Sequence, residues 1–68
     1  MDHSRIKLIR VTCVDNGKTV DAELHDVKPN SITVILPGFQ KLTLRKNLDK
    51  PTLYMAEQFG MEFYTNYP

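Results

Sequence analysis

DVKPNSITVILPGFQKLTLR, residues 26–45, decides the fold class of this chain. It holds two short apolar-alternating runs with turn chemistry on either side of the first. Lys28-Pro29-Asn30 precedes Ile32, Val34 and Leu36, and Pro37-Gly38 separates that run from Leu42 and Leu44. Period-two alternation bounded by Pro, Gly and Asn is the pattern of a β-meander. Pro presets φ, and Asn and Gly tolerate the left-handed backbone that tight turns require.

Working outward from that stretch, residues 6–14 are rich in β-branched side chains. Their alternation changes face: Ile6 and Leu8 share one side, and Ile9, Val11 and Cys13 the other. A bulge between Leu8 and Ile9, or burial on both faces, would reconcile the two halves. Asn16-Gly17 follows, and Asn-Gly between alternating runs predicts a two-residue type I′ turn with positive φ at both positions. Residues 19–27 alternate again, with Val20, Ala22 and Leu24 directed to a core. Beyond residue 46 the pattern is less decisive. Residues 53–59 contain good helix formers ending at Gly60, which suits a short helix. A strand turning at Gly60 into Met61 and Phe63 is the reading preferred here. The expected fold is all-β, a small and mostly antiparallel barrel of about five strands. Its expected core is Val11, Cys13, Val20, Ala22, Leu24, Ile32, Val34, Leu36, Leu42, Leu44, Met61 and Phe63. Closing the meander into a barrel removes exposed sheet edges.

Size and composition narrow the rest. At 68 residues the chain is read as one domain. A domain this short buries only about 60% of its unfolded surface. Cys13 is the only cysteine and cannot pair within the chain. One Cys with His3 and His25 falls short of a tetrahedral zinc set. No metal or cofactor is expected. No apolar run approaches the roughly 18 residues of a membrane helix, and no signal-peptide pattern opens the chain. A cytoplasmic location without membrane association is the expectation. Nine basic and eight acidic residues give a net charge of +1. They are interspersed rather than clustered, which argues against a broadly basic nucleic-acid footprint.

The strand sequence Ala22-Glu23-Leu24-His25-Asp26-Val27, then Ile32–Pro37, Lys41–Leu44 and Gly60-Met61-Glu62-Phe63, resembles the PilZ domain family. The resemblance covers roughly residues 19–64 and implies a small antiparallel β-barrel; many members of that family bind cyclic di-GMP. The ligand motifs depart from the family pattern. Arg5 and Arg10 stand one residue too far apart for its R-x-x-x-R loop. After Asp26, Lys28 stands where Ser is expected and Ser31 where Gly is expected. A minimal, divergent PilZ-like member without cyclic di-GMP binding is the implication. Residues 20–34 also resemble the strand–turn–strand core of Sm-like and SH3-like barrels, without an N-terminal helix. That resemblance implies RNA or peptide binding, often with assembly.

Candidate sites are few. His25 lies beside Asp26 and near Asp21, and a His next to a carboxylate can serve as a base. No oriented nucleophile or oxyanion donor accompanies it, so surface strand residues explain the group and no enzyme is expected. Cys13 falls on an alternating apolar face and reads as a core residue. Arg5, Lys7 and Arg10 form a basic arm. Lys41, Thr43 and Arg45 alternate on one strand face, with Lys46 and Lys50 extending the stripe. Arg5, Arg10, Lys41, Arg45 and Lys46 are the candidate ligand-binding residues, set against the plainer reading of a solvated face. Tyr54, Phe59, Phe63, Tyr64 and Tyr67 gather late in the chain, as base-stacking platforms or as core and end cover. The leading expectation is a non-catalytic binding or adaptor module using a protein partner or self-association. The alternative is nucleic-acid or nucleotide binding through the arm and stripe.

Overall fold

The computed structural model describes residues 7–67 as a closed barrel of six antiparallel strands in sequential order. The strands are β1 (Leu8–Cys13), β2 (Thr19–Lys28), β3 (Ser31–Leu36), β4 (Gln40–Lys46), β5 (Leu53–Gln58) and β6 (Met61–Asn66). The sixth strand comes from the ambiguous segment. Residues 53–58 form a strand rather than a short helix, because β5 pairs along its whole length with β6, from Leu53↔Asn66 to Gln58↔Met61. Tyr54 and Ala56 then face Thr65 and Phe63 inside the barrel, a period-two placement that a helix would scramble.

Alternation fills the interior. Val11, Ala22, Ile32, Val34, Leu42 and Leu44 have at most 1% of their surface exposed. Each such aliphatic side chain larger than Ala contributes about 1.5–3 kcal/mol when fully buried. Tyr54 and Thr65 join them, and neither stands out as apolar in the sequence. Thr65 is tolerated because its Oγ1 donates to the Arg10 carbonyl at 2.5 Å, so its hydroxyl is not orphaned.

Two turn and bulge expectations are corrected. The β1–β2 ladder runs in register from Leu8↔Glu23 to Thr12↔Thr19 with no bulge at Leu8/Ile9. Leu8 simply points outward, 57% exposed, and Ile6 lies outside the described residues. The bulge sits instead in β2 between Leu24 and Asp26, where His25 lacks a β3 partner. The Asn16-Gly17 turn is not a two-residue type I′ turn. Cys13 N–H donates to the Lys18 carbonyl and Gly17 N–H to the Cys13 carbonyl, both at 2.8 Å, which closes a four-residue loop. Only Gly17 takes positive φ, at 71°. Asn16 spends its side chain locally, accepting from Lys18 N–H at 2.9 Å, an Asx-type bond that competes with the tighter turn.

Barrel closure is uneven. The first four strands form a well-registered sheet. The β5–β6 hairpin closes it through short seams: Arg45↔Met55 and Lys46↔Tyr54 on one side, Thr12↔Tyr64 and Cys13↔Phe63 on the other. The β1–β2, β3–β4 and β5–β6 hairpins all project from one end.

Candidate functional site

The two ends of the barrel differ in chemistry. At the end away from those three hairpins, Tyr54 and Tyr67 pack edge to face, with centroids 6.1 Å apart. The Lys46 ammonium lies 6.0 Å from the Tyr54 ring and the Lys7 ammonium 5.6 Å from the Tyr67 ring. Aromatic rings with cations over them plug this end, apolar body inward and charge to water.

The opposite end is open. An inward side chain at a strand end has neighbours on one side only, so Val20, opposite Val11 in the β1–β2 ladder, stays 38% exposed. A cavity of about 450 Å³ opens there. Val11, Cys13 and Val20 form one wall, Leu36 and Pro37 a second, and Phe59, Met61 and Phe63 a third. The Cys13 thiol donates weakly to the Met61 sulfur at 3.7 Å, so the cysteine is a packed wall element of this cavity. Polar groups enter at three places: Asn16, Lys18 and Gln40.

Phenylalanines stand on two of the hairpin tips. Leu36-Pro37-Gly38-Phe39 is a turn closed by Phe39 N–H to the Leu36 carbonyl at 3.0 Å, with Pro and Gly in the central positions as the sequence predicts. Gly38 takes φ 92° and Phe39 follows at φ 64°. Phe59-Gly60 joins Gln58 to Met61 as a two-residue turn with φ 58° and 70°, the type I′ signature. Asn is the usual first residue of such a turn; a phenylalanine in the left-handed region costs roughly 1–2 kcal/mol. Yet Phe39 is 93% exposed and Phe59 48%. The Phe39 side chain does not repay that strain by burial within the chain, whereas Phe59 is half-buried. Leu36 and Pro37 also wall a smaller outer depression with Leu8, Ile35 and Phe39, where Asp21 and Glu23 complete the lining, so largely apolar surface runs from the mouth to the outer sheet.

The basic candidates do not converge. Arg10 is on β1 and Lys41 and Arg45 on β4, three strands apart in a six-stranded barrel and hence on opposite sides. Lys41 and Arg45 share the exposed outer face of β4. Lys46, one residue on, pairs with Tyr54 and faces the plugged end, so it leaves the stripe. Arg10 stands 3.9 Å from Asp21. Arg5 lies outside the described residues. His25, in the bulge, and Asp21 are four residues apart on one strand, about 13 Å at ~3.3 Å per residue, and all of Asp21, His25 and Asp26 are exposed. Among the described residues no group of three or more His, Cys, Asp or Glu is placed to hold a metal, and no helix is long and apolar enough to cross a membrane.

Phe39 and the partial exposure of Val20 are what the sequence reading missed. The available signal was a large apolar residue at a hairpin tip, directly after Pro-Gly, where polar residues are the rule. Compared with known proteins, the chain matches no family model, no curated protein and no solved structure. None of the PilZ, Sm and SH3 resemblances is confirmed; the structure shows a small closed barrel of six antiparallel strands.

Proposed function

We propose that this chain is a non-catalytic binding module whose open mouth takes an apolar group of a protein partner. The observation that carries this is Phe39: 93% exposed and held at φ 64°, on the hairpin whose Pro37 and Gln40 line the apolar cavity. Backbone strain is found where the surroundings or the function require it. Here the surroundings gain little from the ring, so the strain supports a role for that ring outside the chain. The cavity volume falls within the roughly 300–1,000 Å³ of sites that engulf a compact group. The apolar strip across Leu36 and Pro37 gives a macromolecular partner further surface.

The second reading, nucleic-acid binding, draws on the exposed pair Lys41 and Arg45 of β4. Two cations supply little of the electrostatic attraction on which such binding runs.

The test is selection of a displayed random peptide library on the immobilised chain, with the Val20→Glu variant as counter-selection. Val20 is partly exposed at the mouth, so a carboxylate there fills the entrance without entering the closed core. Enrichment of sequences with large apolar residues on the wild type alone is the expected result. Equal enrichment on both proteins, or none on either, overturns the proposal. Sedimentation velocity over a wide concentration range separates the remaining occupant: concentration-dependent dimers abolished by Val20→Glu make a second copy the partner.

A further inference from the structure

We infer that the mouth recognises a chain terminus: the free C-terminal carboxylate of a partner that ends in a large apolar residue. This rests on the binding-module reading and specifies its ligand.

The polar chemistry of the cavity has one sign. Among the described residues its lining contains a single ionic side chain, Lys18, with the amides of Asn16 and Gln40, and no carboxylate. Asp15 is the one acidic residue of the adjacent loop, and its Oδ2 accepts the Glu62 N–H at 2.9 Å. It is not part of the lining. Among the described residues no ion pair engages Lys18; the only one there joins Arg10 and Asp21. An exposed lysine in the lining of an apolar cavity, with two amides in the same lining, complements an apolar body carrying one anionic, acceptor-rich head.

The form of the opening favours a chain end over an internal segment. An internal side chain inserted here brings two backbone arms, and both must leave across a rim bounded by the β3–β4 and β5–β6 hairpins, where Pro37, Gln40 and Phe59 line the cavity. A terminal residue brings one arm. The second arm is replaced by a carboxylate, which Lys18 can meet. The remaining arm can run along the strip over Leu36 and Pro37 towards the outer depression, where Ile35 and Leu8 lie beside Asp21 and Glu23.

Titration calorimetry tests this with three peptides of one sequence. The parent is acetyl-Ser-Gly-Ser-Gly-Leu-Phe with a free carboxylate; the second is its C-terminal amide; the third carries Ser-Gly after the Phe. The parent should bind, and the amide and the extended peptide should each bind about tenfold more weakly, the worth of one charge-assisted contact. Lys18→Gln should weaken the parent by a similar factor and leave the amide unchanged. Equal binding of all three, lost together in Val20→Glu, overturns terminus recognition while leaving the binding module intact. Binding of none overturns both. Decanoate is the control for a free apolar acid: if it binds through Lys18 and the parent peptide does not, the ligand is a small amphiphile and the inference fails.

Discussion

Replacing Phe39 with Asn should make the protein more stable and a poorer binder. The backbone at this position sits at φ 64°, and its N–H already closes the turn to the Leu36 carbonyl. Asn populates that region far more readily than other non-glycine residues. The left-handed conformation costs an ordinary residue roughly 1–2 kcal/mol, of which Asn recovers about half or more. Against this stands the side chain's own burial, and at 93% exposure there is almost none to lose. The net expectation is a gain of about 1 kcal/mol, or a melting temperature raised by about 4–8 °C for a domain of this size. Total stability for 68 residues is of order 3–10 kcal/mol, so the change is readily measured. Phe39→Ala is the control. It removes the ring but keeps a Cβ in the strained conformation, so stability should stay nearly level while binding falls as in the Asn variant. Differential scanning calorimetry with peptide titration of each variant reads both effects. A melting temperature of Phe39→Asn equal to or below that of the wild type would refute the reasoning, because the ring would then be stabilising the fold.

Gly17→Val should cost about 1–3 kcal/mol in a denaturant melt. Its Cβ would meet nothing within 4 Å, so the penalty comes from φ 71° alone, and a loss under about 0.5 kcal/mol would contradict that. Thr65→Val keeps the side-chain volume but removes the hydroxyl that reaches the Arg10 carbonyl across the β1–β6 seam. We expect a loss of about 1–2 kcal/mol, with faster amide exchange concentrated in β6 and the end of β1; uniform acceleration would reject the seam as a weak point. Any affinity for nucleic acid should be weak and confined to Lys41 and Arg45, since Lys46 faces the other end. Two phosphate contacts give a log–log salt slope of about −1.4 on single strands or −1.8 on duplex DNA, and a measured slope of −3 or steeper would show a larger electrostatic site.

The strand pattern of β2, β3 and β4 was legible because Pro29-Asn30 and Pro37-Gly38 punctuate it and each run alternates cleanly. Burial of Ile32, Val34, Leu42 and Leu44 followed directly from that. What failed was decided by pairing rather than by local pattern. Leu8 and Ile9 do not show where a bulge belongs. The register that places His25 opposite no residue depends on β3, whose Val34 and Thr33 pair with the flanking Leu24 and Asp26, and is invisible to periodicity. Asn16-Gly17 carries a strong two-residue turn signal, but an alternative set of local hydrogen bonds wins. Leu53–Gln58 has helix-forming composition, and only its partner β6 settles it as a strand. The candidate site was the least legible part. Val20 reads as core on alternation, and its exposure follows from lying at the unplugged end of a closed barrel. Lys46 reads as part of a basic stripe until parity along β4 is taken strictly, which turns it away from Lys41 and Arg45 and sets its ammonium over the Tyr54 ring.

The most direct measurement is a heteronuclear NMR titration of the isotope-labelled chain, once with the acetyl-Ser-Gly-Ser-Gly-Leu-Phe acid and once with a single-stranded oligonucleotide. If the mouth is the binding site, the peptide shifts resonances of Val11, Val20, Leu36, Met61 and Phe63 and leaves Lys41 and Arg45 in place, while the oligonucleotide shifts none of the mouth residues. Oligonucleotide-induced shifts centred on Lys41 and Arg45, with no peptide-induced change at Val20 or Met61, would contradict it.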